Sequence, residues 1–280
     1  MTIFKKAKQL SNYLHQQKKE GKEIGFVPTM GALHNGHLYL IDTCKNSNDI
    51  TVCSIFVNPA QFNNSDDFKN YPVTISKDIE QLIGHQCDVL FLPSVEEMYP
   101  ADFVKKEYAL GEIENRLEGY YRPGHFQGVC QAVDRLLQIV QPDNLYMGQK
   151  DYQQCMVIRK LLEITGQEET TRLNIVPTVR EADGLAMSSR NLRLDAEQRK
   201  LAASIFKELN FIKEHFQDHS LDELKKNASE HLTRKGFKVD YVEIANAEDL
   251  SPASSTSGKL VALAAATTGN VRLIDNIVLN

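Results

Sequence analysis

Two histidines three residues apart, His34 and His37, lie inside the stretch PTMGALHNGHLYLI (28–41), fenced by Gly31 and Gly36. Imidazoles at that spacing fall one helical turn apart and could both donate to one anionic group. If a helix begins near Gly36, its first N–H groups and the positive end of its dipole favour a phosphate there. The glycines would let the backbone approach such a group closely. Zinc chelation is a rival use of the pair, but a catalytic zinc normally takes a third protein ligand, and nothing nearby resembles HExxH. Spacing alone equally permits two ordinary packing or surface histidines.

Three further sets of residues could serve the same chemistry. MSSRN (187–191) presents two hydroxyls and a guanidinium, from Ser188, Ser189 and Arg190. These are good donors for a polyphosphate, or simply the capped start of a helix. Lys150 and Asp151 follow an apolar run that ends at Met147 and Gly148; they could add charge at the phosphates or form a solvated pair. Gln61 and Gln154 suit a hydroxylated, carboxylate-bearing small molecule, although lone glutamines are commonly surface residues.

Strands alternating with helices would have to position these groups. Phe4, Ala7, Leu10 and Leu14 recur at helical spacing, and EIGFV (23–27) reads as a strand stopped by Pro28. A helix from about Gly36 would turn Leu38, Ile41 and Cys44 inward. DITVCSIFV (49–57) lacks polar alternation, the pattern of a strand covered on both faces. After the polar loop NPAQFNNSDDFKNYP, Ser76 is placed to cap a helix through Gly84. A strand at 89–92, a helix at 127–140, a strand at 144–147 and a helix at 152–165 complete the series. The order implies right-handed crossovers and a Rossmann-like, doubly wound parallel sheet, an α/β fold in which ligands bind beyond the carboxyl ends of the strands. The segments after Val27, Val57 and Met147 are PTMGALHNGH, NPAQF and GQKDYQQ, so the unusual residues fall where that fold would gather them. Beyond Val179 a long helix (195–216), a helix opened by a Ser220–Glu223 capping box and three strand-like runs, KVDYVEIAN, KLVALAAAT and VRLIDNIVL, predict a smaller C-terminal α+β domain. The expected domains are 1–178 and 179–280.

Composition narrows the class. The 280 residues carry a formal charge of −5 and a pI near 5.9, which argues against a broad nucleic-acid surface. No stretch approaches the roughly 18 apolar residues of a membrane span, and the first residues lack a signal-peptide core. Five scattered cysteines without a CxxC pair read as reduced thiols in a cytoplasmic protein.

PTMGALHNGH looks like a variant of the HxGH signature of the adenylyl-transferring superfamily that includes class I aminoacyl-tRNA synthetases, and MSSRN sits where those proteins carry a KMSKS-type loop. More narrowly, the chain resembles the pantoate–β-alanine ligases over nearly its full length. The blocks that carry the resemblance are PTMGALHNGHLYLI, SIFVNPAQF, YRPGHFQGV, PDNLYMGQKDYQQ, VPTVREADGLAMSSRN and RLIDN. The resemblance implies a two-step reaction: pantoate and ATP with Mg²⁺ give pantoyl adenylate and pyrophosphate, and β-alanine then displaces AMP. It implies that Met30, Gly31, Ala32, Leu33, His34, Asn35, Gly36 and His37 hold ATP, with His37 as proton donor. Gly148, Gln149, Lys150, Asp151, Val179, Met187, Ser188, Ser189 and Arg190 would bind the nucleotide, with Lys150 and Arg190 joining the histidines in catalysis. Gln61 and Gln154 would grip pantoate, with Pro28 and Met30 against its dimethyl group. No protein ligand is assigned to Mg²⁺, and the family is typically a homodimer with a Rossmann-like N-terminal domain and a smaller C-terminal lid. Gln149 stands where the family often has glutamate, and Val73 where it often has arginine. Arg122 and His125 of YRPGHFQGV are expected near the site or a subunit contact rather than in catalysis. A nucleotidylyltransferase would share the histidines but not the two glutamines, a tRNA synthetase would need a tRNA-binding domain, and a regulatory module would bind ATP without turnover.

Overall fold

The structure, a computed structural model, describes residues 1–63 and 68–280, so residues 64–67 of the polar loop lie outside the described residues. The chain divides into two compact units, one formed by residues 1–148 and 157–176, the other by residues 149–156 and 177–280.

In the first unit, six parallel strands form one sheet in the order β1-β4-β3-β2-β5-β6. They are β1 (Thr2–Phe4), β2 (Ile24–Thr29), β3 (Ile50–Ile55), β4 (Val89–Phe91), β5 (Asn144–Gly148) and β6 (Arg172–Val176). The connecting helices are α1 (Ala7–Lys19), α2 (Asn35–Lys45), α3 (Ile75–Gly84), α4 (His125–Val140) and α5 (Tyr152–Thr165), of which the last contributes residues 157–165 to this unit. Every residue of β3 is buried, Thr51 and Ser54 included, as the lack of polar alternation leads one to expect of a strand covered on both faces. Val27, Ile41, Cys44, Cys53, Ile55, Leu82, Cys87 and Leu90 pack as one cluster between the sheet and α2 and α3. From β2 the order runs outward through β3 and β4 on one side and through β5 and β6 on the other, with β1 added beyond β4. A reversal of the kind found between β2 and β5 is where such sheets open a crevice at the carboxyl ends of the strands.

Pro28 lies inside β2 rather than ending it. The strand pairs with β3 through Pro28↔Ser54 and Thr29↔Ile55, while its pairing with β5 covers only Gly25↔Asn144 and Phe26↔Leu145. The ladder that would need an N–H from residue 28 has already ended, which makes proline tolerable there. The cap of α3 is Thr74, not Ser76.

In the second unit, β7 (Lys238–Asn246), β8 (Leu260–Thr268) and β9 (Val271–Val278) form an antiparallel sheet in sequence order. Its apolar cluster, including Leu209, Leu232, Ile244, Ala264 and Leu273, joins the sheet to α7 (Ser204–His215) and α8 (Leu221–Arg234). The helical run expected over 195–216 is interrupted at Ala203, so α6 (Ala196–Ala202) precedes α7. The capping box is made by Asp195 with Gln198, whereas the Ser220 side chain makes no cap bond.

Candidate active site

His34 is the N-cap of α2. Its Nδ1 accepts the Gly36 N–H at 3.2 Å. An imidazole nitrogen that accepts carries no proton, so the other nitrogen, Nε2, bears the hydrogen and is a donor. The His37 ring lies beside it, with centroids 4.0 Å apart and planes tilted by 30°. Both histidines are half-buried. The helix start therefore presents its imidazoles together, while its nearby backbone donors are already used within the segment. Gly36 N–H goes to His34, and His37 and Leu38 N–H go to the His34 carbonyl.

The preceding turn is equally engaged. Gly31 (φ +83) and Ala32 (φ +50) adopt left-handed backbone, an uncommon state for alanine. Asp78, fully buried on the first turn of α3, accepts N–H groups from Ala32 (3.0 Å) and Leu33 (2.9 Å) and the Thr74 hydroxyl (3.0 Å). Thr29 Oγ1 accepts the Gly31 N–H and donates to the Ser54 carbonyl. A Cβ on Gly31 would lie 2.9 Å from Ile55 Cγ2 and 3.1 Å from Asp78 Oδ2, so glycine is needed here both for its φ and for space.

Gln61 ends the short 3-10 turn Pro59–Gln61 beyond β3, and its amide orientation can be deduced. Asn58, 1% exposed, accepts the Ala60 N–H through Oδ1, so its Nδ2 points to the Gly128 carbonyl and to Gln61 Oε1 (each 3.0 Å). With Oε1 accepting, Gln61 turns its Nε2 toward Met30, 3.1 Å from the sulfur, and that NH₂ carries a second hydrogen for a ligand. From the YRPGHFQGV block, His125 Nδ1 bonds the Gln61 carbonyl at 2.8 Å and Arg122 reaches His125 Nε2 at 3.1 Å. Gly128 lets α4 approach, since a Cβ there would collide with the Ala60 carbonyl. Arg122 and His125 thus buttress Gln61. Pro28 and Gly148 end the set in this unit, both half-buried at the carboxyl ends of β2 and β5.

The remaining expected residues belong to the second unit. Gln149, Lys150 and Asp151 form a 3-10 turn, with Lys150 Nζ 3.6 Å from Asp151 and the lysine side chain 16% exposed. Gln154 is half-buried on the first turn of α5. Residues 179–187 fold back on themselves: Met187 N–H donates to the Val179 carbonyl at 3.0 Å, and Arg180 and Ala186 form a bridge. Ser188 caps the 3-10 turn Ser189–Arg193 by accepting the Arg190 N–H, and its own O–H remains a donor by type. Both expected uses of MSSRN, cap and donor, are thus compatible.

The supporting residues Asp78, Asn58 and Thr29 are not marked out by sequence pattern. All but Asp78 fall inside the blocks that carry the resemblance, which is the one signal that could have drawn attention to them.

Comparison with known proteins places the chain among relatives. A family model described as Pantoate-beta-alanine ligase matches residues 2–278. The chain is similar to the pantothenate synthetase of Caldicellulosiruptor saccharolyticus, 41% identical over 281 residues and 99% of both chains. That of Thermotoga petrophila is 40% identical, with both chains covered completely. Among solved structures, the pantothenate synthetase of Thermus thermophilus matches with a TM-score of 0.93 at 39% identity, covering 100% of this chain and 99% of that one. The Francisella tularensis pantoate–β-alanine ligase, described as complexed with beta-gamma ATP and beta-alanine, matches with a TM-score of 0.83 at 38% identity, covering 100% and 98%.

Proposed function

Because the chain belongs to the pantoate–β-alanine ligase family, we propose that it condenses pantoate with β-alanine through a pantoyl-adenylate, consuming ATP and releasing AMP and pyrophosphate. The observation that carries the reading is the pair of imidazoles at the start of α2, 4.0 Å apart, with His34 held as an Nε2–H donor.

In the first step a pantoate carboxylate oxygen bonds to the α-phosphorus, and the bond from that phosphorus to the bridging oxygen of pyrophosphate breaks. In the second, the β-alanine amine attacks the acyl carbon, the bond to AMP breaks, and the amine loses a proton. Neither step needs a covalent enzyme intermediate, so catalysis is positioning and charge stabilisation. Residues Met30 to His37 hold ATP in this reading. His34 donates to its phosphates, and His37 donates a proton where negative charge builds. Lys150 and Arg190 supply positive charge, Ser188 and Ser189 supply hydroxyl donors, and Gly148 to Asp151, Val179 and Met187 complete the nucleotide contacts. Gln61 donates to pantoate through its free-facing amide hydrogen, Gln154 grips the same molecule, and Pro28 and Met30 pack on its methyl groups.

Magnesium ions take oxygen ligands, mostly from phosphates and water with one or two carboxylates. The segment 148–151 offers one partly exposed carboxylate, Asp151, which fits an ion carried on the triphosphate. When bound, Mg²⁺ would neutralise phosphate charge. We also propose a homodimer, the state that the resemblance implies.

The test is pantoate-dependent pyrophosphate–ATP exchange in the native protein and in His37→Ala. A loss of about 10²–10³ in the variant, the scale of one well-placed donor, supports the adenylate step. ATP binding without any exchange would reject it.

A further inference from the structure

The last strand places two buried polar residues side by side. Along β9, Val271, Leu273 and Ile277 face the apolar cluster under α7 and α8. Asp275 falls on that same face and is 6% exposed. Arg180 holds it with two bonds, 2.6 and 3.0 Å, and the same guanidinium donates to the carbonyls of Gly184 and Asn276, each at 3.1 Å. It also lies 4.0 Å from the centre of the Phe206 ring. A Cβ on Gly184 would collide with that ring, so the turn that meets Arg180 is shaped for it.

A buried ion pair of this kind seldom stabilises a fold more than apolar residues of equal volume. Its placement asks for another role. On the opposite face of β9, Asn276 is 2% exposed and directs its amide N–H groups at the carbonyls of Gln149 (2.9 Å) and Lys150 (2.8 Å), while Gln149 Nε2 reaches back to its Oδ1 at 3.4 Å. The backbone N–H of Asn276 in turn donates to Asp275. Bonds therefore run unbroken from the Gln149–Asp151 turn, through Asn276 and the Asp275–Arg180 pair, to Gly184, three residues before Met187.

We propose that Asn276, backed by Asp275 and Arg180, is a positioning residue that holds the Lys150 turn and the 187–190 segment in one fixed relation for nucleotide binding. The inference rests on the reading that these two segments take the nucleotide. The Asn276 amide bonds two backbone carbonyls and the Gln149 side chain. It would act by fixing the backbone from which the Lys150 ammonium extends.

The experiment measures ATP affinity by calorimetry, KM for ATP and for pantoate, and melting temperature. The proteins are native, Asn276→Ala, Asn276→Asp, Asn276→Ser, Lys150→Ala and the double variant Asn276→Ala/Lys150→Ala. Asn276→Ala should weaken ATP about ten- to a hundredfold, the scale of a small misplacement, with pantoate KM unchanged within about twofold. Asn276→Asp should lose at least as much, because its oxygens would face two carbonyls. Asn276→Ser keeps one donor and should fall between, which also covers the case of an alanine variant that fails to fold. In the Lys150→Ala background the effect of Asn276→Ala should shrink to within about twofold, since the two act on one interaction. A lower melting temperature with ATP affinity and KM unmoved, or losses that simply multiply in the double variant, would overturn the proposal. If Lys150→Ala alone leaves ATP binding intact, the nucleotide reading of the turn fails, and the proposal falls with it.

Discussion

The carboxylate of Asp78 accepts the backbone N–H of Leu33 at 2.9 Å, which ties the first turn of α3 to the residue before the N-cap histidine. With the matching bond to Ala32, it holds the turn whose two left-handed residues, Gly31 and Ala32, lead toward His34. Asp78→Asn preserves size but turns one acceptor into a donor facing an N–H. The expected result is a loss of about 1–3 kcal/mol in stability and a fall of about tenfold or more in exchange rate, beyond what the change in folded fraction explains. Melting curves and exchange assays on one preparation check it. Full exchange activity in a destabilised variant would make Asp78 a structural residue only.

His34 combines two duties that substitution can separate. Asparagine is a strong N-cap, whereas alanine is not. His34→Ala should lose about 1 kcal/mol of stability together with exchange activity, and His34→Asn should recover the stability and not the activity. Recovery of both by asparagine would reduce the imidazole to a cap.

Asn58 sets the face that Gln61 presents. In Asn58→Ala the glutamine amide is free to turn over, and the Gly128 carbonyl loses its side-chain donor. Pantoate KM should rise about tenfold, and stability should fall by about 1–3 kcal/mol, with ATP affinity unchanged. Steady-state kinetics and calorimetry check it. A rise in ATP dissociation constant equal to that for pantoate would show a general collapse of the site instead.

All five cysteines are buried and free of disulfides. Burial pushes the Cys44, Cys87 and Cys130 thiols up to about 12 and raises Cys53 as well. A thiol whose native-state pKa exceeds the unfolded one contributes stability that is complete below the unfolded pKa and is lost as pH rises through the folded one. Stability should therefore decline between about pH 9 and 12, as the unfolded chain ionises and the native one does not. Chemical denaturation at stepped pH measures the decline. Below that window the native thiols should resist alkylation and react fully only in denaturant. Rapid native alkylation at pH 8 would contradict this.

What the sequence made legible follows from the range of the forces involved. Fully buried strands such as Ile50–Ile55 are written as β-branched and small or apolar residues without polar alternation, and α5 is bounded by its own residues at Tyr152 and Thr165. The two edge strands are not. β1 has three residues, and Arg172 to Ile175 of β6 are exposed or half-buried, so neither carries an apolar run. Ser220 and Glu223 match the capping pattern without making the bonds, because a pattern states which groups could meet and not which do. At the site, the residue types at 34, 37, 61, 150 and 187–190 each permitted anion or carboxylate chemistry and an ordinary structural use; what favoured the chemistry was their falling together at the strand ends, within the blocks that carry the resemblance. Their supports were not legible in this way, since Asp78 reaches Ala32 across 46 residues and Asn276 reaches Lys150 across 126. Nothing local distinguishes such an aspartate or asparagine from any other.

The bond between Asn276 and Lys150 also has a meaning in time. A ribosome releases the Gln149–Asp151 turn long before it makes β9, and domains generally fold as their residues emerge. The second unit is discontinuous, joining residues 149–156 to 177–280, so the bonds that Asn276 gives the turn form only when the last strand of the antiparallel sheet is made. A nascent chain halted before β9 could already have formed the parallel sheet and the His34–His37 pair, yet would lack the support of its lysine turn. On the proposed reading of this turn, competence to hold the nucleotide would then arrive late in synthesis, and a chain cut short within β9 would lose it first.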